Sequence, residues 1–458
     1  MAFTFRIPKR VEQFGGIFKE KGYSCYLVGG AVRNMVLGKK PVDYDFATDA
    51  SPEEVMRLFK RVIPTGIRHG TVTVLFGNRR FEVTTFRVEG TYSNARHPDK
   101  ITFTSSIEED LSRRDFTINA MALKVPGGEL IDLFGGQKDL KKRVIRSVGP
   151  ARERLEEDAL RMVRACRFSA QLDFKVDEEL QQAIHLVAPN IFRVSAERIR
   201  EELEKLLKTV SPSIGFHEME ETGLLERILP ELAACRGIPQ GDFHSFDVLD
   251  HSLYACDGAP QERIEVRFAA LLHDTGKAET FSRGDSEDIE GRPTFYHHEE
   301  LSEKLADKIC RRLKFSNSSR QRICRLVRHH MFHYTEEWSD AAVRRFIARV
   351  GPDLIDDLFI LRLADKYGMH LKHSADPLLD QFRRRIEEVL NKNQALTAKD
   401  LAVNGHILEE EAGIPKGRDM GTVIDHLLET VLDDPSMNTK ETLVDLAENF
   451  YTTYLNRD

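Results

Sequence analysis

Hydrophobic and polar positions follow two different patterns along the chain. Up to about residue 150, short runs rich in β-branched and aromatic residues predict strands at 23–28, 42–47, 72–76, 81–86 and 101–103. Gly77-Asn78 separates two of these runs and predicts a hairpin. Residues 31–37 and 52–60 predict short helices, and Ser51 is the expected N-cap of the second.

After Pro150 the apolar positions recur at helical spacing. The pattern predicts amphipathic helices over 153–170, 195–208, 299–313, 317–330, 377–392 and 422–432. No repeat of fixed period is visible. The change of pattern places one domain boundary at Gly149-Pro150, and further boundaries are expected within 236–242 and near 373–376.

Composition limits the class of protein. At roughly 150 residues per domain, 458 residues favour about three domains. The apolar fraction of 41% and the charged fraction of 31% are typical of a soluble globular protein. No run approaches the ~18 apolar residues of a membrane-spanning helix, and the N-terminal residues do not resemble a signal peptide. The six cysteines form no CxxC pair, so we expect a reducing cytoplasm and no thiolate zinc site.

The distribution of charge matters more than its sum. The net charge of -7 argues against a protein that coats nucleic acid indiscriminately. Two segments are nevertheless basic: residues 138–167 hold ten Lys or Arg, and residues 311–330 hold seven. They are either solvated helix faces or a local footprint for phosphate groups, and the sequence leaves both interpretations open.

A first set of candidate chemical groups lies in the strand-rich part. Residues i and i+2 of a strand point to one side, roughly 6–7 Å apart, so Asp43 and Asp45 are expected to converge. Two Mg²⁺ ions about 3.5–4 Å apart require such oxygen ligands. The turn Gly29-Gly30 before a helix lets backbone amides approach a triphosphate, and Arg33 would add positive charge. The combination predicts the palm of a nucleotidyltransferase.

Longer motifs strengthen this interpretation. They are YLVGGAVRN, DYDFAT, PTGIRHGTVTVLF, EVTTFR, EEDLSRRDFTINAMA and EEDALRMVRACRF. In this order and spacing, over about residues 25–170, they resemble the bacterial class II CCA-adding tRNA nucleotidyltransferase and poly(A) polymerase family. The helical remainder resembles that family's neck, body and tail, with an HD domain in the body. The family usually has Asp where this chain has Asn34, which should change hydrogen bonding around the turn without affecting the metal ligands.

The resemblance implies an α+β fold. A polymerase-beta-like nucleotidyltransferase head of mixed α/β structure would be followed by an all-helical neck, a body with the HD domain, and a tail. The implied domains are the head at 1–150, the neck with a base-reading motif and the start of the body at 151–235, the HD domain at 236–373, and a tRNA-binding tail at 374–458.

The resemblance also implies individual roles. Asp43 and Asp45 would hold Mg²⁺ and be catalytic. The implied nucleotide-binding residues are Gly30, Arg33, Arg114, Asp158, Arg161, Arg164 and Arg167. The resemblance does not assign Glu82; its place on the second hairpin strand makes it either a third carboxylate of the site or a polar residue on a half-exposed strand.

Base selection has a physical rationale. On the predicted helix, Asp158 and Arg161 are three residues apart and would be neighbours on one face. A carboxylate and a guanidinium match the amino group and ring acceptor of cytosine or adenine, whereas uracil and guanine set a carbonyl against the carboxylate. Three-residue steps drift about 60° around a helix, so we expect structural or phosphate-binding roles for Arg164 and Arg167. The alternative is an ion-paired helix face.

A second cluster combines His and Asp. LLHDTGK and LRLADKYG resemble HD phosphohydrolase motifs, and neighbouring predicted helices supply further imidazoles. The expected ligands of a divalent transition metal are His251, His273, Asp274, His298, His329, with His330 adjacent to it, and Asp365. Such a metal would activate water for phosphoester hydrolysis. The alternative is a structural cluster.

The resulting hypothesis is template-independent addition of CMP and AMP, from CTP and ATP, to the 3′ end of tRNA, with a secondary HD phosphohydrolase activity. The helical body and tail would hold the acceptor arm by its shape and phosphates. Residues 89–98 resemble a family loop that helps to switch the pocket from C to A, and 64–74 match the CCA type. The alternatives are a poly(A) polymerase or A-only enzyme, a phosphohydrolase with a nucleotide-sensing head, and a tRNA-binding scaffold.

Overall fold

The computed structural model describes residues 7–89, 101–241, 245–283, 291–372, 375–392 and 395–455. The architecture is mixed α+β, with a majority of helix and a sheet in the N-terminal part. The chain forms two compact units, a first unit of 1–236 with 309–315 and a second unit of 237–308 with 316–458. Residues 90–98 of the expected C-to-A loop lie outside the described residues. None of the helices in the described ranges has the length and hydropathy needed to cross a membrane.

A seven-stranded sheet organises the start of the first unit. The strands of this unit are β1 (Cys25–Val28), β2 (Asp45–Thr48), β3 (Val62–Gly66), β4 (Thr71–Phe76), β5 (Arg79–Thr85), β6 (Arg87–Glu89), β7 (Ile101–Phe103), β8 (Ala122–Lys124), β9 (Leu130–Ile131), β10 (Val144–Ile145) and β11 (Lys175–Val176). The sheet order is β3-β4-β5-β2-β1-β8-β9. Strand β2 pairs antiparallel with β1 and parallel with β5. The hairpin predicted at Gly77-Asn78 is confirmed, because these residues join β4 to β5.

Helices cover the sheet and make up the rest of the first unit. They are α1 (Lys9–Glu20), α2 (Gly30–Val36), α3 (Pro52–Leu58), α4 (Ile107–Ser112), α5 (Gly136–Lys142), α6 (Ala151–Glu157), α7 (Leu160–Leu172), α8 (Glu178–Val187), α9 (Ala196–Leu207), α10 (Pro212–Glu221), α11 (Leu225–Ile228) and α12 (Pro230–Ala233). The predicted cap of α3 is confirmed, because the Ser51 side chain accepts a hydrogen bond from the Glu54 amide.

The prediction of one helix over 153–170 is wrong at Asp158. This residue has an extended backbone (φ -141°, ψ 100°) and separates α6 from α7. Its side-chain Oδ1 accepts a hydrogen bond from the Leu160 amide at 3.1 Å. Asp side chains compete in this way with helical backbone hydrogen bonds, whereas the apolar periodicity continues across the break and conceals it.

The two faces of the sheet are covered by different side chains. On one face, Phe14 of α1 is fully buried and packs against the rings of Phe46 and Phe81, with centroids 4.6 and 4.8 Å away. Successive strand residues point to opposite faces, so Asp45 faces away from this aromatic core. Leu111 of α4 belongs to the apolar cluster on the other face. Asp45 therefore begins β2 on the face that α4 covers.

The second unit is mainly helical. Its elements are α13 (Val248–Gly258), α14 (Ile264–Leu272), α15 (Lys277–Thr280), β12 (Ser282–Arg283), β13 (Pro293–Thr294), α16 (His298–Arg312), whose last four residues belong to the first unit, α17 (Asn317–His329), α18 (Asp340–Val350), α19 (Ile355–His370), α20 (Pro377–Asn391), α21 (Gly405–Ala412), α22 (Arg418–Asp433) and α23 (Lys440–Phe450). Helices α13, α14, α17 and α19 pack against one another. The last three helices enclose an apolar cluster of their own.

Replacing Phe14 by Ala should destabilise the first unit selectively. Loss of this buried ring should lower the free energy of unfolding by about 3–5 kcal/mol. The single tryptophan, Trp338, packs against Phe382 in the second unit. In urea, the far-UV circular dichroism transition should therefore move to lower concentration while the tryptophan fluorescence transition stays in place. Leu186→Ala, at a site 68% exposed, is the control. Equal movement of both transitions would contradict the assignment of Phe14 to a separate core.

Candidate functional site

Three carboxylates meet at the start of β2. Asp45 is the first residue of this strand, and Glu82 is its register partner on β5. Tyr44 is buried, whereas Asp43 and Asp45 on either side of it are exposed, as the two-residue spacing predicts. The predicted strand 42–47 begins too early, because Asp43 precedes β2. Glu82 thus lies where a third carboxylate of the site would have to lie.

The charges of these groups act on one another. Desolvation, the Glu82 carboxylate and the Asp43 carboxylate raise the pKa of Asp45, and Arg114 opposes them. Carboxylates that repel one another in this way are stabilised by a shared cation. Oxygen ligands of this kind suit Mg²⁺, so the residues present fit the expected ion.

A glycine turn and an arginine border the carboxylates. Gly29 has a φ of +64° at the N-terminus of α2, and a Cβ there would lie 3.4 Å from an Nη1 atom of Arg114. Arg114 pairs with the buried Asp110 at 3.1 Å, and its Nε has no hydrogen-bond partner within the described part of the chain. Burial alone would raise the pKa of Asp110, but Arg114 and Arg113 outweigh it and lower the pKa. Arg114 is therefore held in position with a donor to spare.

Arg33 lies inside the protein. Its Nη1 donates to Asn119 Oδ1 at 2.8 Å, and its Nε and Nη2 donate to Asn34 Oδ1 at 3.3 Å. Burial, together with the neighbouring Arg167, lowers the pKa of Arg33 to about 10. Its guanidinium carbon lies 5.4 Å from the centroid of the Phe168 ring. Arg33 thus links the glycine turn to α7, and Asn34 accepts hydrogen bonds from it.

Asp158 and Arg161 do not form the pair expected on one helix face. Asp158 binds Arg198 of α9, with Nη1–Oδ1 at 3.2 Å and Nη2–Oδ2 at 2.7 Å. Arg161 instead donates to Glu157 Oε2 at 2.8 Å and to the backbone oxygen of Arg113 at 3.0 Å. The expectation fails because the helix breaks at Asp158. The i, i+4 spacing of Glu157 and Arg161 was a sequence signal for the observed pair.

Arg164 and Arg167 are engaged in ion pairs within the first unit. Arg164 Nε donates to Asp115 at 2.9 Å, and Arg167 Nε donates to Glu202 at 2.6 Å. Burial alone would raise the pKa of Asp115, but Arg164 outweighs it and lowers the pKa. The arginines lie over the Phe168 ring, at 5.5 and 3.8 Å from its centroid. Sequence analysis missed Asp115, Glu202 and Arg198, although Asp115 is the third residue of the RRD motif.

Ion pairs also account for much of the second basic segment. Five of its arginines contact carboxylates of their own unit: Arg312 with Glu231, Arg320 with Asp307, Arg322 with Asp357, Arg325 with Asp353, and Arg328 with Glu300. Of the two interpretations left open, these contacts favour solvated helix faces, with their arginines in ion pairs, over a phosphate footprint for residues 311–330.

Six side chains converge in the second unit, and all are buried. They are His251 on α13, His273 and Asp274 directly after α14, His298 at the start of α16, His330 directly after α17, and Asp365 on α19. The packing of these helices thus brings together residues that are up to 114 positions apart in the sequence.

Asp274 lies at the centre of the cluster. Its Oδ2 lies 3.5 Å from His251 Nε2 and 3.2 Å from His273 Nε2. Its Oδ1 lies 3.3 Å from His298 Nε2 and 3.7 Å from His330 Nε2. The two oxygens therefore face two separate groups of imidazoles.

The imidazoles are oriented for metal binding. In His273, His298 and His330, Nδ1 lies 2.7, 2.9 and 2.7 Å from the carbonyl oxygen of the residue three positions earlier. When these rings are neutral, a proton on each Nδ1 leaves the Nε2 lone pair directed into the cluster. Carbonyl oxygens that accept from Nδ1 in this way orient histidine ligands of metals.

The electrostatics of the cluster favour a cation. Burial alone would lower the pKa of His273, but Asp274 and Asp365 outweigh it and raise the pKa to about 10. Burial and the neighbouring His273 lower the pKa of His330 to about 3. His273 is therefore protonated beside the buried carboxylates, whereas His330 is neutral and keeps a lone pair. A divalent metal ion would meet both requirements.

The prediction that His329 is a ligand is wrong. His330, and not His329, faces the cluster. Adjacent residues of a helix are about 100° apart, so only one of the two can face the cluster. His330 continues the buried stripe of Ile323 and Val327, which the sequence showed. His329 lies near Arg349 instead, and burial together with this arginine lowers the pKa of His329 to about 4.

A cavity of about 490 Å³ opens beside the cluster. Lys277 in its wall donates to Asp274 Oδ2 at 2.6 Å, and Arg362 donates to Asp365 Oδ2 at 3.1 Å. Phe295 and Tyr296 supply apolar surface. The cavity therefore offers cationic groups beside the candidate metal ligands, as a phosphate group requires.

Three family models match the chain. Residues 25–146 match the poly A polymerase head domain, residues 173–236 match a segment described as a probable RNA- and SrmB-binding site of polymerase A, and residues 242–369 match the HD domain.

Relatives agree with these matches. A CCA-adding enzyme of Leuconostoc mesenteroides is 53% identical over 189 residues, which are 41% of this chain and 47% of the relative. A CCA-adding enzyme of Enterococcus faecalis is 47% identical over 219 residues, 47% of this chain and 54% of the relative. The matched part of the chain spans about half the length of these curated relatives.

Solved structures match over almost the whole chain. The CCA-adding enzyme of Bacillus stearothermophilus in complex with CTP has a TM-score of 0.71 at 28% identity, and covers 98% of this chain and 100% of that one. The Thermotoga maritima CCA-adding enzyme complexed with tRNA shares the fold at a TM-score of 0.53 and 22% identity, over 96% of this chain and 95% of that one. The chain thus combines segments similar to the poly A polymerase head domain and its RNA-binding segment with a segment similar to the HD domain, and it resembles CCA-adding enzymes both in sequence and in fold.

Proposed function

We propose that the protein transfers CMP and AMP from CTP and ATP to the 3′ end of tRNA without a template. The observation that carries this proposal is the convergence of Asp43, Asp45 and Glu82 beside the Gly29 turn and Arg114. The relatives named as CCA-adding enzymes support CCA addition over poly(A) or A-only addition. The alternative of a nucleotide-sensing head is weaker, because both Asp43 and Asp45 are present.

In the proposed mechanism the carboxylates hold two Mg²⁺ ions. When bound, these ions would activate the terminal 3′-hydroxyl of tRNA and stabilise the leaving pyrophosphate. The backbone amides at the Gly29 turn and the Arg114 guanidinium, whose Nη1 borders the turn, would donate to the triphosphate. Arg33, in the helix that follows this turn, is held in place by its hydrogen bond to Asn119.

Base selection is proposed to rest on Asp158. Its carboxylate would accept a hydrogen bond from the amino group of cytosine or adenine and repel the carbonyl of uracil or guanine. Arg161 is held through Nη1 and Nη2 by Glu157 and backbone oxygens, and we propose that it donates to the base beside Asp158. For Arg164 and Arg167 we propose that they shape the pocket through their ion pairs.

A second activity is favoured by the cluster around Asp274. We propose that His251, His273 and Asp365 on one side, and His298 and His330 on the other, hold divalent metal through Nε2 and carboxylate oxygens. The metal would supply activation of water for phosphoester hydrolysis. Lys277 and Arg362 are positioned to bind the phosphate oxygens of a substrate.

Asp43→Ala or Asp45→Ala should abolish nucleotide addition, because each change removes a metal ligand. The rate should fall by a factor on the order of 10³. The assay uses tRNA that lacks its terminal CCA, with CTP and ATP supplied singly and together, and tRNA binding is measured separately by gel shift. Glu53→Ala, an exposed acid on α3, should behave as wild type. Near-normal addition by either Asp variant would contradict the two-metal site, and a wild type that adds only AMP would favour the A-only alternative.

Asp158→Ala should relax base choice more than it slows chemistry. It removes the acceptor that excludes uracil and guanine but leaves Asp43 and Asp45 in place. Discrimination should fall by about 1–3 kcal/mol, roughly ten- to a hundredfold. Single-nucleotide incorporation with CTP, ATP, UTP and GTP at matched concentrations measures it. A uniform loss of rate with unchanged selectivity would assign Asp158 to support of the site alone.

His273→Ala or Asp274→Ala should remove metal and phosphoesterase activity from the second unit while CMP addition persists. Metal content after dialysis is measured by mass spectrometry, and activity is measured with bis-p-nitrophenyl phosphate and 2′,3′-cyclic nucleotides. His329→Ala is the matched control and should retain both, whereas His330→Ala should lose them. A wild type that binds no transition metal and cleaves no ester would identify the cluster as structural.

A further inference from the structure

Helix α9 contacts the nucleotide-binding residues through two side chains one turn apart. Arg198 binds the Asp158 carboxylate through two separate nitrogen–oxygen contacts of 3.2 and 2.7 Å. Glu202, which is only 2% exposed, binds Arg167 at 2.6 Å and lies 3.5 Å from Arg164. Helix α9 therefore contacts both Asp158 and the arginines Arg164 and Arg167 of the proposed nucleotide site.

Asp158 depends on this contact because of where it lies. It occupies the extended break between α6 and α7, so its backbone is not part of a regular helix. Apart from Arg198, the described residues give its side chain one close hydrogen-bond donor, the Leu160 amide on Oδ1. A single donor leaves a carboxylate free to rotate, whereas a fork of two guanidinium nitrogens fixes the plane of the group.

We propose that Arg198 is a positioning residue that sets base selectivity, acting through Asp158. This inference rests on the proposed role of Asp158 in reading the base. Each carboxylate oxygen has two lone pairs, so the fork of Arg198 leaves acceptor capacity for the amino group of cytosine or adenine. Without Arg198 the carboxylate turns away from its fixed direction and no longer excludes the carbonyl of uracil or guanine.

Arg198→Ala tests the inference in steady-state incorporation with each of the four nucleotides on tRNA that lacks CCA. KM for CTP and ATP should rise, and selectivity over UTP and GTP should fall by about tenfold, as expected for loss of a charged hydrogen-bond partner. The rate at saturating CTP should change little, because the Asp43 and Asp45 carboxylates are untouched. Arg198→Lys, which keeps the charge but not the fork, should give an intermediate selectivity.

Arg200→Ala provides the matched control. Arg200 lies on the same helix and pairs with Glu204 rather than with Asp158, so its removal should leave selectivity unchanged. Circular dichroism and melting temperature verify the fold of each variant, and Arg198→Lys carries the test if Arg198→Ala does not fold.

A double variant separates positioning from helix packing. In an Asp158→Ala background, Arg198→Ala should cause no further loss of selectivity, because the group that it orients is absent. An additional loss there, or unchanged selectivity in a folded Arg198→Ala variant, would overturn the inference. A wild type that adds CMP and AMP while Arg198→Ala remains fully selective would leave the proposed function intact. A wild type that adds no nucleotide would overturn the proposed function and this inference with it.

Discussion

The packing of Phe46 against Phe14 and Phe81 determines where the candidate catalytic carboxylates lie. It fixes one face of β2 in the aromatic core, and the alternation of a strand then directs Asp45 to the other face. The parallel pairing of β2 with β5 sets Glu82 beside it. The apolar packing thus keeps carboxylates close together although their charges repel one another.

Around this centre, arginines have two kinds of surroundings. Arg33, Arg161 and Arg167 are largely buried and share their donors with side chains or carbonyls of the same unit. Arg114 has a carboxylate partner in Asp110, and its Nε has no hydrogen-bond partner among the described residues. The ion pairs of Arg161 and Arg167 therefore shape the site from within, whereas Arg114 borders the glycine turn.

In the second unit, too, packing holds carboxylates in surroundings that favour a cation. Helix packing places two carboxylates among four imidazoles in a buried environment, and backbone carbonyls fix the orientation of three of those rings. The pKa values of His273 and His330 move in opposite directions because one faces the carboxylates more directly than the other. The site is therefore arranged for positive charge before any ligand arrives.

The sequence alone determined the mixed head, the helical remainder and the hairpin at Gly77-Asn78. It also determined that Asp43 and Asp45 lie on either side of a buried residue. These features depend on periodicity and on neighbours close along the chain. The order of the motifs was sufficient for the resemblance to CCA-adding enzymes and poly(A) polymerases, which the family models and relatives support. The tertiary structure decided the helix break at Asp158, the partnership of Asp158 with Arg198, and the choice of His330 over His329. A side chain's partner from a distant helix depends on packing, and the same local pattern is compatible with several such partners.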